Sequence, residues 1–205
     1  MHMGGATMFD VIIDDLRYRG YSIQSVAIDQ QLAVALHNEI KHKATQHLTP
    51  AGIGRNNQHT VDKQIRSDHI EWIDNSTQPG KHWLAWVEAL KVQINRKLFL
   101  GLDEFESHYA YYPQGAFYRR HKDAFIGESN RILSVVAYLN PNWCSTDGGE
   151  LVLYKSEVDT KGIKIQPILG TLVIFLSEEF PHEVLPAGRD RYSIAGWFRQ
   201  KSKMN

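Results

Sequence analysis

After Gly101 the hydrophobic pattern of this chain changes its period, and that change limits the folds open to it. Before it, apolar residues recur three and four apart: Leu32, Ala35, Leu36 and Ile40 within 26–43, with Asp29 near the start, then Trp83, Val87, Leu90, Ile94 and Leu98 within 81–98. Such spacing lays one apolar stripe along a helix, and it predicts two helices that need a sheet to cover. Beyond Gly101 the runs are short and alternating or wholly apolar. They predict strands over 107–112, 117–123, 131–139, 150–154, 162–166, 171–176, 182–185 and 191–198,. Turns fall at Pro113-Gln114-Gly115, Asp147-Gly148-Gly149, Leu169-Gly170 and Pro186-Ala187-Gly188,. The expected fold is mainly β with flanking helices (α+β), a double-stranded β-helix or jelly roll whose N-terminal helices pack on the major sheet. Ahead of it, 65–73 alternates like a further strand. Residues 49–63, rich in Gly, Pro, Asn and Gln, predict an exposed, mobile loop,.

Composition narrows the function classes. With 205 residues and 42% hydrophobic content, one domain over 9–205 is expected, behind a disordered or tag-like lead at 1–8 that has no apolar h-region,. Lys+Arg and Asp+Glu balance at 23 each, so no basic field exists for nucleic acid or an anionic membrane, and a small or peptidic partner is expected,. Cys144 stands alone, which excludes an internal disulfide framework,. No apolar run approaches the ~20 residues of a membrane span, so a reducing cytoplasm is the expected location. Oligomeric state is left open.

Chemistry enters with His121-Lys122-Asp123. On a strand, residues two apart share a side, so His121 and Asp123 could reach one ion while Lys122 faces away. Ten His and 12 Asp in 205 residues produce about 0.6 such triplets by chance, so the triplet needs company,. His182, in Phe180-Pro181-His182-Glu183-Val184, offers a third ligand from a later strand. Two histidines and a carboxylate can cap one face of a ferrous ion and leave the other open, though taken singly each fits a hydrogen-bonded structural role. Arg191 begins a strand on which Ser193, Ala195 and Trp197 share its face. Two small residues between a charge and an indole leave a pocket, and a buried guanidinium pairs with a carboxylate such as that of 2-oxoglutarate, or with a neighbouring acid, Asp190 or Glu183. His37, His42, His47, His59 and His69 are expected to be solvated.

These pieces, taken in order, resemble the Fe(II)- and 2-oxoglutarate-dependent dioxygenases, and within them the prolyl 4-hydroxylase-like group that includes the prolyl hydroxylases of hypoxia-inducible factor. The resemblance runs from Ile65-Arg66-Ser67-Asp68-His69-Ile70-Glu71-Trp72-Ile73 through Tyr112-Pro113, Tyr118-Arg119-Arg120-His121-Lys122-Asp123, Tyr138-Leu139-Asn140 and Gly148-Gly149-Glu150-Leu151. It closes on Pro181-His182-Glu183-Val184 and Arg191-Tyr192-Ser193-Ile194-Ala195-Gly196-Trp197-Phe198. It implies His121, Asp123 and His182 as iron ligands and Arg191 as partner of the 2-oxoglutarate C5-carboxylate, all four catalytic, with Tyr138 bonding the same carboxylate. Tyr112, Tyr118, Leu151, Val184 and Trp197 would line the pocket. Fe(II), 2-oxoglutarate and O2 are the implied cofactors, with ascorbate as an accessory reductant and succinate and CO2 as co-products. The implied partner is a peptide or protein carrying a target proline. Similar bacterial enzymes hydroxylate a proline of elongation factor Tu.

The pattern departs from the hypoxia-factor enzymes in a turn one residue shorter between Tyr112 and Tyr118, and in Gly196, where they carry a larger residue. Two rival readings stand beside this one: the same chemistry on a small molecule or alkylated base, and a jelly-roll module that keeps the metal without turnover. Salt-sensitive affinity for single strands would favour an alkylated base. Anaerobic Fe(II) titration followed by an oxygen pulse would expose a module without turnover.

Overall fold

In the computed structural model the described residues are 6–45, 48–51, 65–124 and 130–201. Three helices precede the β region. The first, α1 (Met8–Arg19), has no counterpart in the sequence expectation. Thr7 accepts from the Asp10 backbone N–H while the Asp10 carboxylate reaches back to Thr7, a capping box,. Gly20 ends the helix at φ 75, where a Cβ would meet the Phe180 ring at 3.0 Å,. Next come β1 (Tyr21–Gln24), also unforeseen, and α2 (Gln30–Ala44). Asp29 accepts from the backbone of Gln31 and Leu32, so α2 starts at this cap and not at 26,. Later α3 (Gln78–Leu98) starts three residues before 81, because Thr77 caps it and Pro79 sits in its first turn,.

Thr49–Pro50 forms β2 and His69–Trp72 forms β3, shorter than the expected 65–73, since Arg66 makes only an isolated bridge to Tyr118. Of the expected loop at 49–63, Thr49 and Pro50 are paired with β3 and Ala51 is buried, while 52–63 lie outside the described residues. The β region continues with β4 (Glu104–Tyr112), β5 (Tyr118–His121), β6 (Arg131–Tyr138), β7 (Leu151–Leu153), β8 (Ile163–Ile165), β9 (Leu172–Leu176), β10 (His182–Val184) and β11 (Arg191–Arg199). All eight expected strands exist, mostly trimmed at their ends.

They form two sheets, a seven-stranded one in the order β1-β9-β6-β11-β4-β3-β2 and a four-stranded one in the order β5-β10-β7-β8. All paired strands are antiparallel. Two apolar layers follow from the two-residue period of a strand. Ile194 and Phe198 of β11 join Trp83, Leu90, Leu36 and Ile12 beneath the helices. Ala110, Tyr138, Leu153 and Phe175 fill the space between the sheets. This is the double-stranded β-helix that the sequence leads one to expect, with the helices on the major sheet.

Candidate active site

Strand register brings the site together. His182 on β10 lies opposite His121 on β5, while Arg191 on β11 lies opposite Tyr112 on β4. Asp123 does not share the strand with His121, as the two-residue spacing implied; β5 ends at His121 and Asp123 lies past it, where the Ser134 hydroxyl donates to its carboxylate at 2.6 Å. The three potential ligand atoms nevertheless lie within 4.8 Å of one another.

Their protonation suits a cation. Nδ1 of His121 lies 2.8 Å from the Arg119 carbonyl, and Nδ1 of His182 lies 3.1 Å from that of Phe180. A carbonyl only accepts, so each Nδ1 carries the hydrogen and each Nε2 is the ring nitrogen turned to the cluster,. Those Nε2 atoms stand 3.7 and 3.6 Å from the Asp123 oxygens, too far to be hydrogen bonds,. Cis ligands on an octahedral ion with bonds of about 2.1 Å are about 3 Å apart, so a small inward shift would suit a metal. Burial pushes the His121 pKa down, and His182 adds to this, bringing it to about 3. Burial alone would raise the Asp123 carboxyl, but His182, His121 and the Ser134 hydroxyl outweigh it and hold it at about 2. Tyr118 stacks on His121 at 3.6 Å between centroids, and Phe175 stands edge-on to His182 at 4.9 Å.

At the other end, Arg191 is 1% exposed. Its Nε donates to the Gly149 carbonyl at 2.9 Å and its Nη1 to the Ser193 hydroxyl at 3.3 Å, and no carboxylate pairs with it among the described residues. The alternatives Asp190 and Glu183 are engaged elsewhere: Asp190 accepts from the Gln114 backbone and Glu183 from the Tyr154 hydroxyl. Gly149 can approach so closely because it has φ +69 and no side chain; a Cβ there would meet Ala187 at 2.8 Å,. Beside the guanidinium, the Tyr138 ring lies 5.1 Å from Cζ and its buried hydroxyl has no partner. Burial raises that hydroxyl's pKa to about 12, so it stays a donor. A buried cation and an idle phenol together call for an anion.

One cavity of about 360 Å³ joins the two ends. His121, Asp123, His182, Arg191, Tyr112, Tyr118, Leu151, Val184 and Trp197 all line it, while Tyr138, beside Arg191, is not among the lining residues. The sequence reading missed further wall residues and supports, Arg66, Asp68 and His108 among them. Arg66 lines the cavity, pairs with buried Asp68 at 2.6 and 2.9 Å and lies over the Tyr118 ring. Buried His108 lines it two residues from Ala110 and four from Tyr112 on one strand face, so the β period did carry that signal,. Of the histidines expected to be solvated, His37 is half-buried, with Nδ1 2.6 Å from the Leu139 carbonyl, and the Nδ1 of His69 is buried. His47 and His59 lie outside the described residues.

Comparison with known proteins agrees with this geometry. The 2OG-Fe(II) oxygenase superfamily matches residues 107–199. A hypoxia-inducible factor prolyl hydroxylase from Caenorhabditis elegans is 31% identical over 151 residues, 69% of this chain but only 21% of that protein, so the chain spans about a fifth of that relative. The structure of a prolyl-4-hydroxylase from Pseudomonas putida is 42% identical, covers 95% of this chain and 100% of its own, and superposes with a TM-score of 0.84. A prolyl hydroxylase from Trichoplax adhaerens, solved with a peptide of the hypoxia inducible factor oxygen degradation domain, is 28% identical with a TM-score of 0.82, covering 95% of this chain and 90% of its own. The triad, the arginine and these likenesses agree: the chain belongs to the 2OG-Fe(II) oxygenase superfamily, among its prolyl 4-hydroxylases.

Proposed function

We propose that residues 9–205 act as one dioxygenase domain that hydroxylates a prolyl residue of a protein substrate, with Fe(II) as cofactor and 2-oxoglutarate and O2 as co-substrates. The observation that carries this reading is the pairing, in one cavity, of a converged His-Asp-His cluster with a buried arginine that has no carboxylate partner among the described residues. His121, Asp123 and His182 would hold the iron, which supplies the one-electron chemistry coupling decarboxylation of 2-oxoglutarate to succinate and CO2 with oxidation of a C–H bond. Arg191 and the Tyr138 hydroxyl would bind the far carboxylate, two donors and a charge for one anion. The carbonyls of Arg119 and Phe180 accept from the Nδ1 hydrogens and so fix the ring tautomers, and Ser134 orients Asp123,. Tyr112, Tyr118, Leu151, Val184 and Trp197 would exclude water from the bound co-substrate.

The solved complex of the Trichoplax enzyme with a peptide supports a peptide substrate here, and elongation factor Tu is our candidate for its source. The balanced charge supports this over nucleic acid. Among the described residues no helix is long and apolar enough to cross a membrane; a cytoplasmic site of action and a reductant role for ascorbate belong to the same proposal. His182→Ala or Asp123→Ala is expected to abolish 2-oxoglutarate turnover, and undiminished succinate formation in either variant would overturn the assignment. Incubation with a proteome that lacks this activity, followed by a mass-spectrometric search for peptides gaining one oxygen, identifies the substrate; gains confined to residues other than proline would refute the prolyl reading.

A further inference from the structure

One polar side chain on the cavity wall has an atom that neither the metal ligands nor the carboxylate site uses. His108 is 2% exposed and lines the cavity from β4. Its ring stands edge-on to Trp72, with centroids 5.3 Å apart, and tilted against Trp197 at 5.5 Å. Nδ1 lies 3.0 Å from the Tyr109 carbonyl, so Nδ1 carries the hydrogen and the neutral ring keeps its lone pair on Nε2,. That Nε2 has no hydrogen-bond partner among the described residues. Burial, with Arg66 nearby, holds the imidazole pKa down to about 4, which keeps the ring neutral at physiological pH. Trp72 is 54% exposed, so this aromatic wall reaches solvent at one end and Trp197 at the other. The imidazole stands against two indoles with one acceptor unused, and such an acceptor asks for one donor,.

We infer that His108 is a specificity-determining residue, its Nε2 accepting a hydrogen bond from a backbone N–H that flanks the target proline while Trp72 and Trp197 form the apolar walls. The inference rests on the proposed prolyl hydroxylation. A prolyl residue within a chain has no N–H, so the target itself cannot supply the donor and a neighbour must. Peptides carry such donors within one residue of the reacting ring, unless both neighbours are also proline. The substrate class is therefore a peptide with a non-prolyl flank, and polyproline tracts are excluded.

The test uses a pooled library of synthetic peptides, each with a central proline between randomised residues, together with Fe(II) and 2-oxoglutarate. Wild-type enzyme should hydroxylate members with a flanking N–H and spare those with proline on both sides. On the best member, His108→Phe keeps the aromatic packing but loses the acceptor, and it should raise KM at least tenfold. His108→Gln, which restores an acceptor, should recover most of that loss. N-methylation of the flanking amide should cost the wild type a similar factor and His108→Phe nothing further, the signature of a direct pair. Titrated 2-oxoglutarate affinity should be the same in all three proteins, which separates the effect from misfolding. A wild-type KM in His108→Phe, or an equal N-methylation penalty in wild type and variant, overturns the inference. If wild-type enzyme converts 2-oxoglutarate but hydroxylates no proline peptide, the prolyl reading fails and the inference falls with it.

Discussion

Holding a guanidinium in a dry site without a carboxylate beside it costs several kcal/mol unless a ligand arrives. Arg191, buried and without a carboxylate partner among the described residues, is positioned by the Gly149 carbonyl and the Ser193 hydroxyl. Its planar fork suits a carboxylate, and a lysine supplies only a point charge. Arg191→Lys is therefore expected to raise the 2-oxoglutarate KM by about tenfold or more, equivalent to one lost charged hydrogen bond of about 1.5–3 kcal/mol, with Fe(II) affinity unchanged. Turnover at varied 2-oxoglutarate and an anaerobic Fe(II) titration check this, and an unchanged KM would count against the assigned carboxylate site. Arg191 was readable from sequence because Ser193 and Ala195 share its strand face and cannot fill the space a core would fill. The role of His108 was not, because Trp72 and Trp197, which frame it, come from distant segments.

Among the elements, the two histidine strands are braced from outside. Arg120, next to His121, donates to the carbonyls of Ser156, Glu157 and Asp159 and lies 3.8 Å from the centroid of the Tyr154 ring. The Tyr154 hydroxyl donates to Glu183, next to His182. Tyr154→Phe keeps the stacking but unties Glu183, and it is expected to weaken Fe(II) binding about three- to tenfold, at the low end for partners outside the ligand sphere. Unchanged metal affinity would reduce Tyr154 to a packing role. Gly196 on β11 meets a different constraint: a Cβ there would come within 2.6 Å of the Phe105 ring and 2.8 Å of the Glu106 carbonyl oxygen. Gly196→Ala is expected to destabilise the fold by about 1–3 kcal/mol, seen as a lower urea midpoint with an unchanged slope. The strands beyond Gly101 were legible from alternation, β1 and β2 were not, and element ends were set by caps and pairing: Asp29 and Thr77 fixed the starts of α2 and α3, and β5 stopped at His121.

Across the whole molecule, buried neutral histidines make stability depend on pH. The pKa of His108 is lowered to about 4 and that of His37 is also lowered, in both by burial first. Above about pH 6.5 both rings are neutral folded or unfolded, and their contribution does not change. As pH falls below that, the unfolded chain takes up protons that the folded one refuses, so stability declines until the folded His108 itself titrates near pH 4,. The His108 share is on the order of 3 kcal/mol. Urea midpoints between pH 7 and about pH 4 should fall less steeply in His108→Phe than in wild type; parallel slopes would refute this origin.

The sequence alone determined the change from helical to strand period, the alternation that faces Arg191, Ser193 and Trp197 one way, and the residue types able to hold a metal and a carboxylate. Those follow from short-range geometry, since 3.6 and 2 residues per turn are local properties of the backbone. Only the tertiary structure decided that Asp123 leaves its strand to meet His182, that Arg191 has no carboxylate partner among the described residues and that Trp72 and Trp197 flank His108. Each of these depends on cross-strand register and on burial, which arise from contacts between segments far apart in the chain.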